Sequence, residues 1–187
     1  MNRLYKKYQE KIIPYMAKTF SYKNKMAVPK IKKVVLNVGI PAENLNDDKF
    51  VKAITKSLEQ ITGQKPVFTR AKKSISAFKV KQGMKVGAKV TLRGKRMYDF
   101  IDKLVNITLP RVRDFRGLDK DLVTGGKSLT IGFIENVVFP EINSEKIERM
   151  HGLEVTIVSN AEDNKEMLAL LTAFGFPFKK DKDKNNL

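Results

Sequence analysis

The stretch Ile31–Ile40, IKKVVLNVGI, sets the fold class, because here the apolar residues leave helical spacing for strict alternation. Val34, Leu36 and Val38 would point to one side of an extended chain, and Lys33, Val35 and Asn37 to the other, which describes a strand with one buried and one solvent face. Gly39 and Pro41 close it. Downstream, Asp47 or Asp48 can cap a helix carrying Phe50, Val51, Ile54, Leu58 and Ile61, and Gly63 supplies its stop. Pro66–Arg70 reads as a short strand. Met84–Arg93 reads as a longer one, with Val86, Ala88, Val90 and Leu92 alternating against Lys85, Lys89, Thr91 and Arg93.

Further out, Met97, Ile101, Leu104 and Val105 mark a second helix, expected to stop near Leu109 because a residue before proline avoids helical geometry. Ser128–Ile134 and Val137–Phe139 read as one strand or two, ended by Pro140. Leu153, Val155 and Ile157 give a last alternating strand. Asp163 with Glu166 makes a capping box for a helix bearing Met167, Leu168, Leu171 and Phe174, ended by Gly175 and Pro177. Upstream, Leu4, Tyr5, Tyr8, Ile12, Tyr15 and Met16 form the apolar side of an N-terminal helix over residues 1–20, which Pro14 is expected to kink or interrupt. The order after that helix is β-α-β-β-α-β-β-α. It implies an α+β fold, a mostly antiparallel sheet with helices packed on one face and an open, concave second face. A single domain is expected over residues 1–180, with a projecting basic loop over 71–83, a long loop over 111–127 and a disordered tail over 181–187.

Charge sharpens this picture. The chain has 187 residues, 37 Lys and Arg against 20 Asp and Glu, and a net charge of +17. Residues 1–33 hold +9 and residues 60–98 hold +11, the latter without one carboxylate, whereas 34–59 and 99–187 total −1 and −2. Charge chosen for solubility alone mixes both signs, so two segments this one-sided point to a polyanion, nucleic acid first. The open sheet face would collect Lys33, Asn37, Thr69, Lys89, Thr91 and Arg93, donors suited to phosphate, ribose hydroxyls and base edges. Lys72, Lys73, Lys79 and Lys81 surround Phe78 on the projecting loop. Phe78 either stacks on a base or tucks beneath its own loop. The basic stripe of the first helix either contacts RNA or snorkels over the domain. Arg111, Arg113 and Arg116 either bind RNA or an acidic protein, or pair locally with Asp114.

Catalytic chemistry finds little support. There is no cysteine and only one histidine, which removes disulfides, thiolate zinc sites, cysteine nucleophiles and any site needing two histidines. No metal or other cofactor is expected. Thr124–Ser128, TGGKS, ends like a phosphate-binding loop, but its first glycine is replaced by Asp121 and Ser128 opens a strand rather than a helix. A phosphoryl-transfer enzyme using Lys127 and Ser128 is the rival from another class. A generic chaperone-like or membrane-surface basic protein is a third. His151 has no oriented partner in the sequence and reads as a surface or interface residue. Asp47–Asp48 and Glu162–Asp163 sit where helix capping explains them. No run of about 18 apolar residues and no leader-like start occurs, so a cytoplasmic chain with no membrane partner is expected.

Several stretches together resemble a known family. They are Ile31–Ile40, Thr62–Ser74 (TGQKPVFTRAKKS), Ala77–Gly94 (AFKVKQGMKVGAKVTLRG), Arg96–Leu118 (RMYDFIDKLVNITLPRVRDFRGL), Val138–Ile142 (VFPEI), Gly152–Ile157 (GLEVTI) and Leu170–Phe178 (LLTAFGFPF). The chain resembles the large-subunit ribosomal protein five family, which binds 5S ribosomal RNA, in its bacterial form. The resemblance implies a non-enzymatic constituent of the large subunit that helps build the central protuberance with 5S rRNA, 23S rRNA and neighbouring proteins. It maps the 5S contact onto Lys33, Asn37, Gln64 and Thr91. Lys72–Gln82, with Ser74 and Gln82 included, resembles the loop that reaches peptidyl-site tRNA. Arg111–Gly117 and Glu135–Glu141 resemble the bridge to small-subunit protein thirteen. The chain departs from the family pattern at Thr124–Leu129 and beyond Lys180.

Overall fold

A computed structural model describes residues 2–45, 47–142 and 150–179. The expected tail over 181–187 lies outside the described residues. Six strands form one sheet: β1 (Ile31–Gly39), β2 (Val67–Arg70), β3 (Lys85–Leu92), β4 (Val123–Thr124), β5 (Ser128–Phe133) and β6 (Leu153–Ser159). Their order is β2-β3-β1-β6-β5-β4, and every neighbouring pair is antiparallel. This is the α+β architecture expected from the alternating strands.

Helix α1 runs as Arg3–Lys7, passes through a π-turn at Tyr8–Ile12 and continues as Ile13–Phe20; α2 is Asp48–Thr62. Helix α3 runs as Gly94–Lys103, through a π-turn at Leu104–Thr108, to Leu109–Arg111; α4 is Asn164–Phe174. Buried residues of the helices (Ile12, Met16, Ile54, Leu58, Ile101, Leu104, Leu170, Leu171) meet those of the strands (Val34, Leu36, Val38, Val90, Leu92, Ile131, Val155, Ile157) in one core. Aromatic rings knit its ends: Phe139 lies 5.4 Å from Phe133 and 6.2 Å from Phe100, and Tyr8 stacks on Phe174 at 5.8 Å.

Four expectations are corrected. The helix expected to stop near Leu109 runs through Pro110 to Arg111, whereas the interruption expected of Pro14 is present as a π-turn just upstream of it. Each proline follows a π-turn, in which Ile13 N–H reaches Tyr8 and Leu109 N–H reaches Leu104. The wider turn relaxes the stretch against which the proline ring would otherwise clash. In α1 it also keeps Leu4, Tyr8, Ile12 and Met16 buried together, although a spacing of four drifts about 40° per step around a regular helix. Asn136–Val138 is a 3₁₀ turn rather than a strand, because Asn136 folds its side chain inward. The stretch 111–127 is not one open loop. It contains β4 and is fastened where Leu118 N–H donates to Pro177 (2.7 Å) and Lys179 N–H to Leu118 (2.9 Å).

The fourth correction concerns the caps. Asp47 accepts from Lys49 and Phe50 N–H at 2.9 and 3.3 Å, as a helix cap should. Asp163 makes no such bond. Glu166 instead accepts from Glu162 N–H (2.9 Å) and from the Tyr22 hydroxyl, tying α4 to the segment that follows α1.

Candidate nucleic-acid interface

Strand register determines which side chains share the face away from the helices. Val35 lies opposite Thr91, Asn37 opposite Lys89 and Gly39 opposite Gly87 across β1 and β3, while Thr69 lies opposite Gly87 across β2 and β3. Leu36, Val38, Ala88 and Val90, which alternate with these, are buried beneath the helices. The face itself is exposed or half-buried at Lys33, Val35, Asn37, Lys89 and Thr91, with no described helix over it. Lys33, Asn37, Thr69, Lys89 and Thr91 are thus brought together on the β2-β3-β1 half.

Arg93 lies just beyond β3, with its guanidinium reaching the Lys32 carbonyl at 3.5 Å. Gln64 joins the same edge: its side-chain amide donates to the Thr91 carbonyl at 3.4 Å, so it stands beside β3 where β2 has not yet begun. Gly87 is required by this packing. A Cβ there would sit 2.9 Å from both Thr69 Oγ1 and the Val38 carbonyl. The glycine lets Thr69 lie flat on the neighbouring strand.

The same face continues where sequence reasoning did not follow it. Val35 is also opposite Thr156, Asn37 opposite Glu154, and Thr156 opposite Thr130, whose hydroxyl is 3.2 Å from that of Thr156. Alternation in Leu153–Ile157 already marked Glu154 and Thr156 as solvent-facing. The strand order that sets them beside β1 had no local signal.

The 71–83 excursion between β2 and β3 is organised from within. Ile75 and Val80 exchange backbone bonds at 2.8 and 3.1 Å, Gly83 N–H returns to Ala71 at 3.0 Å, and Ser74 Oγ accepts from Gln82 N–H at 3.0 Å. Phe78 sits in the turn at its apex and is 62% exposed, so it does not tuck beneath its own loop. Lys72, Lys73, Lys79 and Lys81 surround it; all but Lys81 belong to the continuous exposed run Lys72–Lys79, and Lys81 is exposed as well.

Arg111, Arg113 and Arg116 are all exposed, and among the described residues none pairs with Asp114, which removes the local alternative. Glu135 is exposed. Glu141 is held by Lys103, whose ammonium also donates to the Ile61 carbonyl at 2.7 Å. His151 corrects the surface assignment: it is buried. Its Nδ1 donates to the Gly152 carbonyl (3.1 Å) and its Nε2 accepts from the Asn136 amide (3.2 Å), which also donates to Ser57 Oγ at 3.3 Å. Burial holds the imidazole pKa below its ordinary value.

Thr124–Ser128 forms the β4–β5 turn. Gly126 is pressed so closely on the start of α4 that a Cβ would fall 2.5 Å from the Glu162 carbonyl, and its N–H is taken by Asn164 at 2.6 Å. This closed turn offers no phosphate cradle at Lys127 and Ser128.

Comparison with known sequences settles the family. The family model of ribosomal protein L5 matches residues 24–81, and the model of the C-terminus of the same ribosomal family matches residues 85–178. The chain belongs to the ribosomal protein L5 family. It is 49% identical over 179 residues to the large ribosomal subunit protein uL5 of Mycoplasma mycoides subsp. mycoides, covering 96% of this chain and 99% of that relative. The protein of the same name from Mycoplasma capricolum subsp. capricolum is equally similar, at 49% over 179 residues. The first matched region ends within the excursion and the second begins with β3. Because β1 from the first pairs with β3 and β6 from the second, both build one sheet.

Proposed function

We propose that the open sheet face of this L5-family chain holds 5S rRNA, that the 71–83 excursion reaches peptidyl-site tRNA, and that residues 111–117 and 135–141 bridge to small-subunit protein thirteen. As a family member the chain is a structural constituent of the large ribosomal subunit, partnered with rRNA and located with it in the cytoplasm; it is not an enzyme. The observation that carries the finer reading is the common placement of Lys33, Asn37, Lys89 and Thr91 on one uncovered face. Cations there neutralise phosphates, while the Asn37 amide and Thr hydroxyls read base edges and ribose. Phe78, exposed among lysines at a pre-shaped apex, suits stacking on a second RNA. In the bridge, Glu141 anchors its segment through Lys103 and leaves Glu135 and the three arginines to face outward.

The test is 5S rRNA binding by the full chain. Lys33→Ala with Asn37→Ala should weaken it, and Phe78→Ala should spare it while reducing crosslinking to tRNA in assembled ribosomes. Normal 5S affinity in a correctly folded double variant would overturn the sheet-face reading.

A further inference from the structure

We infer that Glu154 on β6 selects an unpaired guanine in the bound RNA, its carboxylate accepting hydrogen bonds from the Watson–Crick edge beside Asn37. The inference rests on the RNA-binding reading of the sheet. Register places Glu154 directly opposite Asn37 on β1 and opposite Gly132 on β5, and Asn37 opposite Lys89 on β3. One row across four strands therefore runs Lys89, Asn37, Glu154, Gly132. Glu154 is exposed between buried Leu153 and Val155, so its side chain belongs to the open face.

It is the one carboxylate among the strand residues of that face, and among the described residues no cation pairs with it. Lys89 is two strands away, about 10 Å at ordinary strand spacing. On the other side the surface is low: a Cβ at Gly132 would meet nothing within 4 Å.

A lone carboxylate on a phosphate-facing surface lowers affinity for any RNA that offers it only phosphates. It is also an acceptor only, so its partners in RNA are N–H groups. Guanine presents N1–H and N2–H side by side, matching the two carboxylate oxygens, while each of the other bases presents a single donor group on that edge. The neighbouring Asn37 amide is then placed to donate to guanine O6. The basic half of the face grips the backbone, and this row reads a base.

The sign of one substitution separates the proposal from plain electrostatics. Glu154→Gln removes a negative charge and keeps the shape, so phosphate attraction alone predicts equal or tighter 5S rRNA binding. The proposal predicts binding weaker by about tenfold or more at fixed salt. Guanosines in the protected RNA are then replaced singly by inosine, which lacks the N2 amino group. One site should cost the unaltered protein several-fold and cost the Glu154→Gln protein nothing further. Equal or tighter binding by Glu154→Gln, or inosine effects identical in both proteins at every site, would overturn the inference while leaving the sheet-face reading intact. Failure of the unaltered chain to bind 5S rRNA would overturn both.

Discussion

Three side chains buried between β5, α2 and the start of β6 show how little a single residue's surroundings follow from its neighbours in sequence. Ser57, Asn136 and His151 form a chain of hydrogen bonds beneath the surface. His151, flanked by Met150 and Gly152, carried no local sign of it. The consequence is a pH dependence with a definite sign. Burial keeps the folded-state pKa below the ordinary 6.5, so as pH falls the unfolded chain takes up this proton before the folded one does. Stability that is complete above about pH 6.5 is lost progressively below it, until pH reaches the lower folded value. Thermal unfolding followed from pH 7.5 to pH 5 should show this fall in the native chain and a flatter profile in His151→Gln; parallel profiles would count against a buried neutral imidazole.

At the scale of elements, two helices with the same acidic opening differ in what the acid does. Asp47 satisfies two backbone N–H groups at the start of α2, whereas at α4 the work passes to Glu166 and Asp163 stands aside. Asp47→Ala should therefore cost about 1 kcal/mol in urea unfolding, and Asp163→Ala less than about 0.5 kcal/mol. Equal losses would mean that the caps are used alike. Both helices were legible from their apolar spacing, since i, i+3 and i+4 neighbours are set by the chain itself. The Asp47 cap was legible as well; the bonds at the start of α4 were not, because Glu166 is claimed by Tyr22, far away in sequence. The prolines behave in the same way: Pro14 announced a kink or interruption and Pro110 a stop near Leu109, and a π-turn upstream of each absorbed the conflict.

For the whole molecule, charge is organised by segment, and the fold selects which charges act together. Residues 60–98 contribute +11, spread over the sheet strands, the excursion and the start of α3, where Lys95 and Arg96 lie. If the face alone binds 5S rRNA, Lys33, Lys89 and Arg93 changed together to Gln should lower the slope of log affinity against log salt by about 2–3. Changing Lys72, Lys73, Lys79 and Lys81 to Gln should leave that slope within about one unit. A larger drop from the second set would place the excursion on 5S rRNA instead. The α+β class, the solvent-facing parity of β1, β3 and β6, the two basic segments and the family were all legible in the linear chain, because periodicity, charge and motifs are local properties of a covalent polymer. That Asn37 stands between Lys89 and Glu154, that His151 is buried and that Phe78 is bare emerged with the folded arrangement alone. Strand order and burial depend on partners distant along the chain, whose contacts exist only once the sheet and its helices have closed on one another.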